Sequence, residues 1–237
     1  MQNLSEIKIG VLILENNPYG ELYGTDRLTV KGSLGNPQTF KYPVIYEKVS
    51  GATGDRVVYA GDSIIDAYIA SATKLVENGA SVITTNCGFT ILFQKELAAS
   101  IPVPVVTSSL VLLFLISSLI GRHGKIGILT YDSDSLQNNI LASNRIALPD
   151  CPLAIKGFQN FASWSELNKA NPMVDAEAMK EDLLTGCRDM LERNPDIHAL
   201  VLECTAMPRF RSEVKSLAAR PVFDVVDAVH FVAASMV

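Results

Sequence analysis

Short apolar runs alternate with stretches of helical period along this chain. Ile7 to Leu14 is an apolar run bounded by "ENNPYG", which predicts a buried strand. Gly61 to Asn78 follows the helical period, with Asp62 placed to cap it and Gly79 to stop it. Ala80 to Thr85 reads as strand, Thr90 to Ala99 as helix, "VPVV" at Val103 to Val106 as strand and Ser109 to Ile120 as helix. "KIGILT" at Lys125 to Thr130 opens a second series, followed by helices over Leu136 to Ile146 and Val174 to Arg193. This βαβα order implies an α/β fold whose mostly parallel sheet is covered by helices on both faces. Asn16 to Tyr42, rich in Gly, Pro, Asn and Thr, is too long for an ordinary connection; it reads as a lid, a binding loop or a decorative insertion.

One spacing recurs. "KIGVL" starts at Lys8 and "KIGIL" at Lys125, and 125 - 8 = 117. The run "VITTNC" ends at Cys87 and "ALVLEC" at Cys204, again 117 apart; Pro104-Val105 recurs at Pro221-Val222 with the same offset. Three landmarks at one offset indicate a duplicated unit, hence two similar lobes. The expected boundaries are 1–118 plus 221–237 for the lobe carrying Cys87, and 119–220 for the lobe carrying Cys204.

Composition narrows the partners. The chain has 237 residues, 48% apolar and 19% charged, which is enough to bury a large core. A formal charge of -5 without a basic block argues against nucleic acid or an anionic membrane as partner, leaving small molecules or other proteins. The apolar core Leu110 to Ile116 is far short of the roughly 20 residues that a membrane span requires. No secretory leader is readable at "MQNLSEIKIG", so a cytoplasmic protein with reduced thiols is expected. Four cysteines and three histidines show no metal-ligand spacing and no glycine-rich nucleotide loop occurs, so no cofactor is expected.

Alone, Cys87 reads as a small buried hydrophobe. Matched with Cys204 it reads differently, because ligands of open parallel sheets bind beyond the carboxyl ends of the strands, where helix N-termini lower thiol pKa values. Two thiols facing one another from two lobes could move a proton between the faces of a carbon. Cys187, at helical spacing with Leu183, Leu184, Met190 and Leu191, reads as core, and Cys151 as a loop residue. Removing a proton beside a carboxylate or carbonyl builds enolate charge that donors must meet. The candidates are the backbone N–H groups at Gly88, Phe89, Thr205 and Ala206, helped by the hydroxyls of Thr205 and Thr130 and the amide of Asn86. Asn17 and Tyr131, after the two repeated strands, could reach the same group. Ordinary turn and capping chemistry would explain Asn and Thr at such positions equally well.

"KIGVL", "TTNCGF", "PVVTSS", "IGILTYDS" and "VLECTAMP" together resemble the cofactor-independent aspartate/glutamate racemase superfamily, with its hydantoin racemase, maleate isomerase and arylmalonate decarboxylase relatives. The resemblance implies two Rossmann-like lobes related by a pseudo-twofold, with the site in the cleft between them. It implies Cys87 and Cys204 as acid/base residues, strand-end residues that bind a substrate carboxylate, and a homodimer. Both cysteines being present favours a racemase or epimerase. A maleate-isomerase-like cis-trans isomerase and an arylmalonate-type decarboxylase stand as alternatives, as does a non-enzymatic two-lobed binding protein.

Overall fold

The computed structural model describes residues 7–15, 31–59, 64–121, 124–143, 145–168 and 174–236. Strands β1 (Ile9–Leu14), β2 (Val44–Val49), β3 (Val82–Thr85) and β4 (Val105–Val106) form one parallel sheet in the order β2-β1-β3-β4. Strands β5 (Lys125–Thr130), β6 (Leu153–Gly157), β7 (Ile197–Leu202) and β8 (Val222–Phe223) form a second, β6-β5-β7-β8. The α/β fold is thus two equivalent parallel sheets with helices packed on them. Strands β1 and β3 are buried along their whole length, as a parallel sheet covered on both faces requires; β1 reads as an unbroken apolar run, and β3 ends in the buried Thr84 and Thr85.

The 117-residue repeat holds at the level of hydrogen-bond register. Ile9 pairs with Val82 and Ile126 with Ala199; Ile83 pairs with Val105 and Leu200 with Val222. Every one of these partners is shifted by 117. The edge strands break the rule. From Ile9 to its partner Val44 is 44 - 9 = 35 residues, but from Ile126 to Leu153 is 153 - 126 = 27. The first lobe therefore spends eight extra residues between its first two strands, within the expected insertion, and the second regains them before β7. Of that insertion, 16–30 lies outside the described residues; Pro37–Thr39 forms a 3-10 turn capped by the Asn36 side chain.

Some elements differ from the pattern-based reading. The edge strands β2 and β6 escape it because they are half-exposed and lack a clean period. The expected helix 61–78 spans Ile65–Glu77, and its expected cap Asp62 lies outside the described residues. Thr90 to Ala99 resolves into a 3-10 segment, Gly88–Phe93, and a helix, Gln94–Ser100. Leu136 to Ile146 becomes a π turn, Leu136–Ile140, and a 3-10 turn, Leu141–Ser143, behind the short Ser133–Ser135 helix capped by Asp132. The long helix runs Ala176–Arg193 with Asp175 as its cap.

The lobes share one core. Ile126, Ile128, Ala199 and Val201, on one face of the second sheet, join the apolar cluster of the first lobe. Leu129, Leu200 and Leu202, pointing the opposite way as alternation demands, pack with Trp164, Met179 and Leu183 in a second cluster. The C-terminal segment is divided between the lobes: β8 pairs in the second sheet, whereas Val225, Val226 and Val229 of helix Val225–Ala234 pack in the first cluster. Asp224 caps that helix in a reciprocal capping box with Asp227 and is bound by Arg211. Among the described residues no helix is long and apolar enough to cross a membrane.

Gly10 and Gly127, equivalent under the repeat, let the helix and the neighbouring strand approach the central strand. A Cβ at Gly10 would lie 2.7 Å from Ile83 Cδ1 and 3.0 Å from Ala80 Cβ; one at Gly127 would lie 2.6 Å from Leu200 Cδ2 and 2.9 Å from Met190 Cε. Overpacking of this kind costs about 1–3 kcal/mol. Gly10→Ala and Gly127→Ala should each lower the urea midpoint by a corresponding amount without changing the slope of the transition, as followed by circular dichroism.

Candidate functional site

In each sheet the strand order reverses beside the first strand, and the crevice at the carboxyl ends of such neighbouring strands is where this architecture binds ligands. Cys87 lies two residues beyond β3 and precedes the 3-10 segment Gly88–Phe93; Cys204 lies two residues beyond β7. Both cysteines are unpaired and keep partial solvent access. The structure brings the segments that carry them together, since the Thr205 hydroxyl donates to the Asn86 carbonyl and Gly88 lies against Glu203.

Hydrogen bonds across the lobes fix this meeting. The Thr205 hydroxyl donates to the carbonyl of Asn86, and the Ser109 hydroxyl donates to the carbonyl of Leu202 at 2.9 Å. The Cys87 carbonyl accepts from the Thr85 hydroxyl (3.0 Å), the Thr90 hydroxyl (2.6 Å) and the Thr90 N–H (3.1 Å), so the backbone at Cys87 is held on several sides. The Asn86 side chain accepts the N–H of Leu14 at 2.8 Å, tying the end of β1 to the end of β3.

Several sequence-selected polar groups are therefore committed to the protein. The Thr130 hydroxyl donates to Glu203 at 2.7 Å, Thr205 binds Asn86, and the Asn86 oxygen is taken by Leu14. Phe89 and Ala206 are buried, and the N–H groups of Phe89 and Thr90 favour a charged Cys87 sulfur as the N–H of Ala206 does for Cys204. Tyr131 lies beside the site, with its carbonyl accepting from Phe158 at 3.0 Å. Asn17 lies outside the described residues. Cys187 is core as expected, and Cys151 lies in the loop before β6, as expected, with its side chain buried.

The thiols are not acidified, which corrects the expectation from helix N-termini. Burial pushes Cys87 up to about 12, and the Glu203 carboxylate adds to the shift; the local N–H groups oppose this without overcoming it. Cys204 is raised further by the same two causes in the same order. It is followed by a turn closed by the Met207 N–H on its carbonyl, and the short 3-10 segment there begins only at Pro208. Tyr68, buried against Phe93, is raised well above the usual phenol range by burial and then by Cys87.

Glu203 is the residue that sequence reasoning missed. It is 1% exposed, and burial lifts its carboxyl to about 7 against the pull of the Thr130 hydroxyl and the Tyr131 N–H. Its Oε1 atom has no hydrogen-bond partner. Gly88 presses against it so closely that a Cβ there would lie 2.1 Å from Oε1 and 2.4 Å from the Glu203 carbonyl. Gly88 is thus the position where only hydrogen fits between the two cysteine-bearing segments. The repeat offset, carried on from Asn86, would have found Glu203, since 203 - 86 = 117. Among the described residues no group of three or more His, Cys, Asp or Glu side chains is placed to hold a metal ion. What the site offers is two thiols that can exchange protons with a carbon acid, beside one buried carboxyl.

No family model matches the chain. Among solved structures, unliganded arylmalonate decarboxylase superposes with a TM-score of 0.54 at 16% identity, covering 97% of this chain and 92% of that one. Allantoin racemase from Pseudomonas fluorescens gives 0.56 at 16% identity, with 97% and 90% covered. These likenesses establish the two-lobed fold expected from the superfamily resemblance. By sequence the chain is 26% identical over 215 residues to dimethylsulfoniopropionate lyase 3 of Emiliania huxleyi (strain CCMP1516), covering 86% of this chain but only 56% of that protein. It is 31% identical over 207 residues to a dimethylsulfoniopropionate lyase of Durusdinium sp. clade D, covering 84% of this chain and 68% of the relative. The 31% identity to this relative, covered over 68% of its length, makes the chain a member of the dimethylsulfoniopropionate lyase family.

Proposed function

We propose that the protein is a cofactor-independent lyase that eliminates dimethyl sulfide from dimethylsulfoniopropionate or a close β-sulfonio carboxylate. The observation that carries this reading is the 31% identity to a dimethylsulfoniopropionate lyase. The two thiols brought together at the strand ends support it. In the proposed step one thiolate removes the proton on the carbon next to the carboxylate, forming S–H as C–H breaks. The electron pair left on carbon forms the C=C bond while the bond from the β-carbon to sulfur breaks. Its electrons leave on neutral dimethyl sulfide, the product is acrylate, and the thiol returns its proton to solvent. The carbon acid is the same kind that a racemase handles, and elimination replaces reprotonation because a good leaving group sits one carbon away.

Raised thiol pKa values fit a cationic substrate. An onium charge in the cleft favours thiolate over thiol, so the base is generated where its substrate is bound. The N–H groups of Phe89, Thr90 and Ala206 then hold the thiolate. We assign the base role to the Cys87 and Cys204 pair.

One observation favours a second reading. Thiols at equivalent ends of two equivalent lobes suit proton transfer to both faces of a carbon, as in a racemase or epimerase. Headspace gas chromatography with dimethylsulfoniopropionate distinguishes the two: release of dimethyl sulfide with equimolar acrylate is expected. Failure to release it, together with solvent deuterium entering a chiral carboxylate, would replace the lyase reading with racemisation.

Cys87→Ser and Cys204→Ser should each lower turnover by about 10²–10⁴-fold, since a hydroxyl does not ionise in place of the thiol. Cys187→Ser should leave the chemistry intact although it perturbs the core. A Cys87→Ser enzyme that is folded and fully active would remove that thiol from the mechanism. With Cys87 pushed up to about 12, thiolate grows with alkalinity, so kcat/KM should rise about tenfold per pH unit between pH 8 and 10, above the range in which Glu203 loses its proton. Initial rates in constant-ionic-strength buffers check the slope.

A further inference from the structure

Asn86 and Glu203 are equivalent under the repeat and do the same structural work. The Asn86 N–H donates to the Leu12 carbonyl at 2.9 Å, and the Glu203 N–H donates to the Leu129 carbonyl at 2.8 Å. Each side chain accepts the N–H two residues further along that neighbouring strand: Leu14 for Asn86, Tyr131 for Glu203. Each therefore clasps the crevice where the strand order of its sheet reverses. A neutral amide suffices for this in the first lobe. The negative charge in the second lobe is thus surplus to the clasp, and it is costly, because a buried carboxylate without a cation loses its hydration uncompensated.

The charge has no counterpart among the described residues. Around the Glu203 carboxyl stand the Thr130 hydroxyl, the Tyr131 N–H and Asp132, and from the other side it acts on Cys87 and Cys204, with Tyr68 beyond Cys87. These are hydroxyl, amide, thiols, phenol and a second acid. Oε1 accepts no hydrogen bond and lies behind Gly88, so the carboxylate reaches the cleft through its field and not by contact. A carboxyl behind Gly88 that carries its charge above about pH 7, held where a neutral residue would serve, is arranged for a positive charge that arrives from outside.

We propose that Glu203 is a specificity-determining positioning residue: lying behind Gly88 beside both thiols, its carboxylate draws an onium cation between Cys87 and Cys204 and turns anionic groups away from that end of the cleft. That the cation is a sulfonium rests on the lyase reading; the charge preference does not. Burial and, after it, the same carboxylate keep both thiols protonated, and an onium group that offsets the carboxylate shifts them toward thiolate. Binding and activation of the base are then one event.

Two thiol reagents of similar size and opposite charge, a trimethylammonioethyl and a sulfonatoethyl methanethiosulfonate, read this directly. Modification of Cys87 and Cys204 is followed by peptide mass spectrometry in the wild-type chain and in Glu203→Gln, which keeps an acceptor for Tyr131 N–H and the volume behind Gly88. The wild type is expected to favour the cationic reagent, and Glu203→Gln to lower the cation-to-anion rate ratio about tenfold. The wild-type preference should fade as pH falls below about 7, where the carboxyl takes up its proton, and the variant should show no such pH dependence. Equal ratios in the two folded proteins would overturn the proposal. If the variant does not fold, a wild-type ratio that stays constant from pH 5.5 to 8 would do so. A charge-selective site that releases no dimethyl sulfide from dimethylsulfoniopropionate would leave Glu203 its role and remove the lyase reading. Release of dimethyl sulfide with no charge selectivity would do the reverse.

Discussion

The site depends on one constraint: the backbone N–H groups at the end of the first strand of each sheet must find acceptors inside a buried crevice. Unpaired, each would lose the hydrogen bond it makes with water and gain nothing. Asn86 meets the requirement for Leu14 and Glu203 for Tyr131. Because each of these residues immediately precedes a cysteine, satisfying the crevice also fixes where Cys87 and Cys204 emerge. The thiols are located by the same atoms that close the sheets.

The lobes are bound to one another at this level. Thr205 reaches Asn86, Ser109 reaches Leu202, and Gly88 lies against Glu203 with no room for a methyl group. One face of the second sheet is continuous with the first lobe's core, and the C-terminal helix leaves the second sheet to pack in that core. A hinge between lobes would have to break these hydrogen bonds and open shared apolar surface, so the two lobes form a single folded body.

The electrostatics follow from burial. A dense surrounding penalises charge on Cys87, Cys204 and Glu203 alike, and the carboxylate adds to the penalty on both thiols. These electrostatics belong to this chain's own residues, although the fold is common to arylmalonate decarboxylase and allantoin racemase.

The sequence by itself determined the central strands, the duplication and the two thiols. β1, β3, β5 and β7 are short, almost wholly buried runs in which apolar residues predominate or Thr stands in at the strand end, as a covered parallel sheet requires, and the 117-residue offset survived in the packing positions that constrain each lobe most. Edge strands β2 and β6 were illegible because a half-exposed strand imposes no period strict enough to see. The π and 3-10 turns over 136–143 carry an ordinary helical pattern, since side-chain spacing hardly distinguishes these windings. The tertiary structure decided the chemistry's setting. It committed the Thr130 and Thr205 hydroxyls to protein partners, and it reversed the expected acidity of the thiols. It also brought Glu203 behind Gly88, 203 - 88 = 115 residues away in the chain. Desolvation and charge proximity are properties of the folded neighbourhood, and no local spacing encodes them.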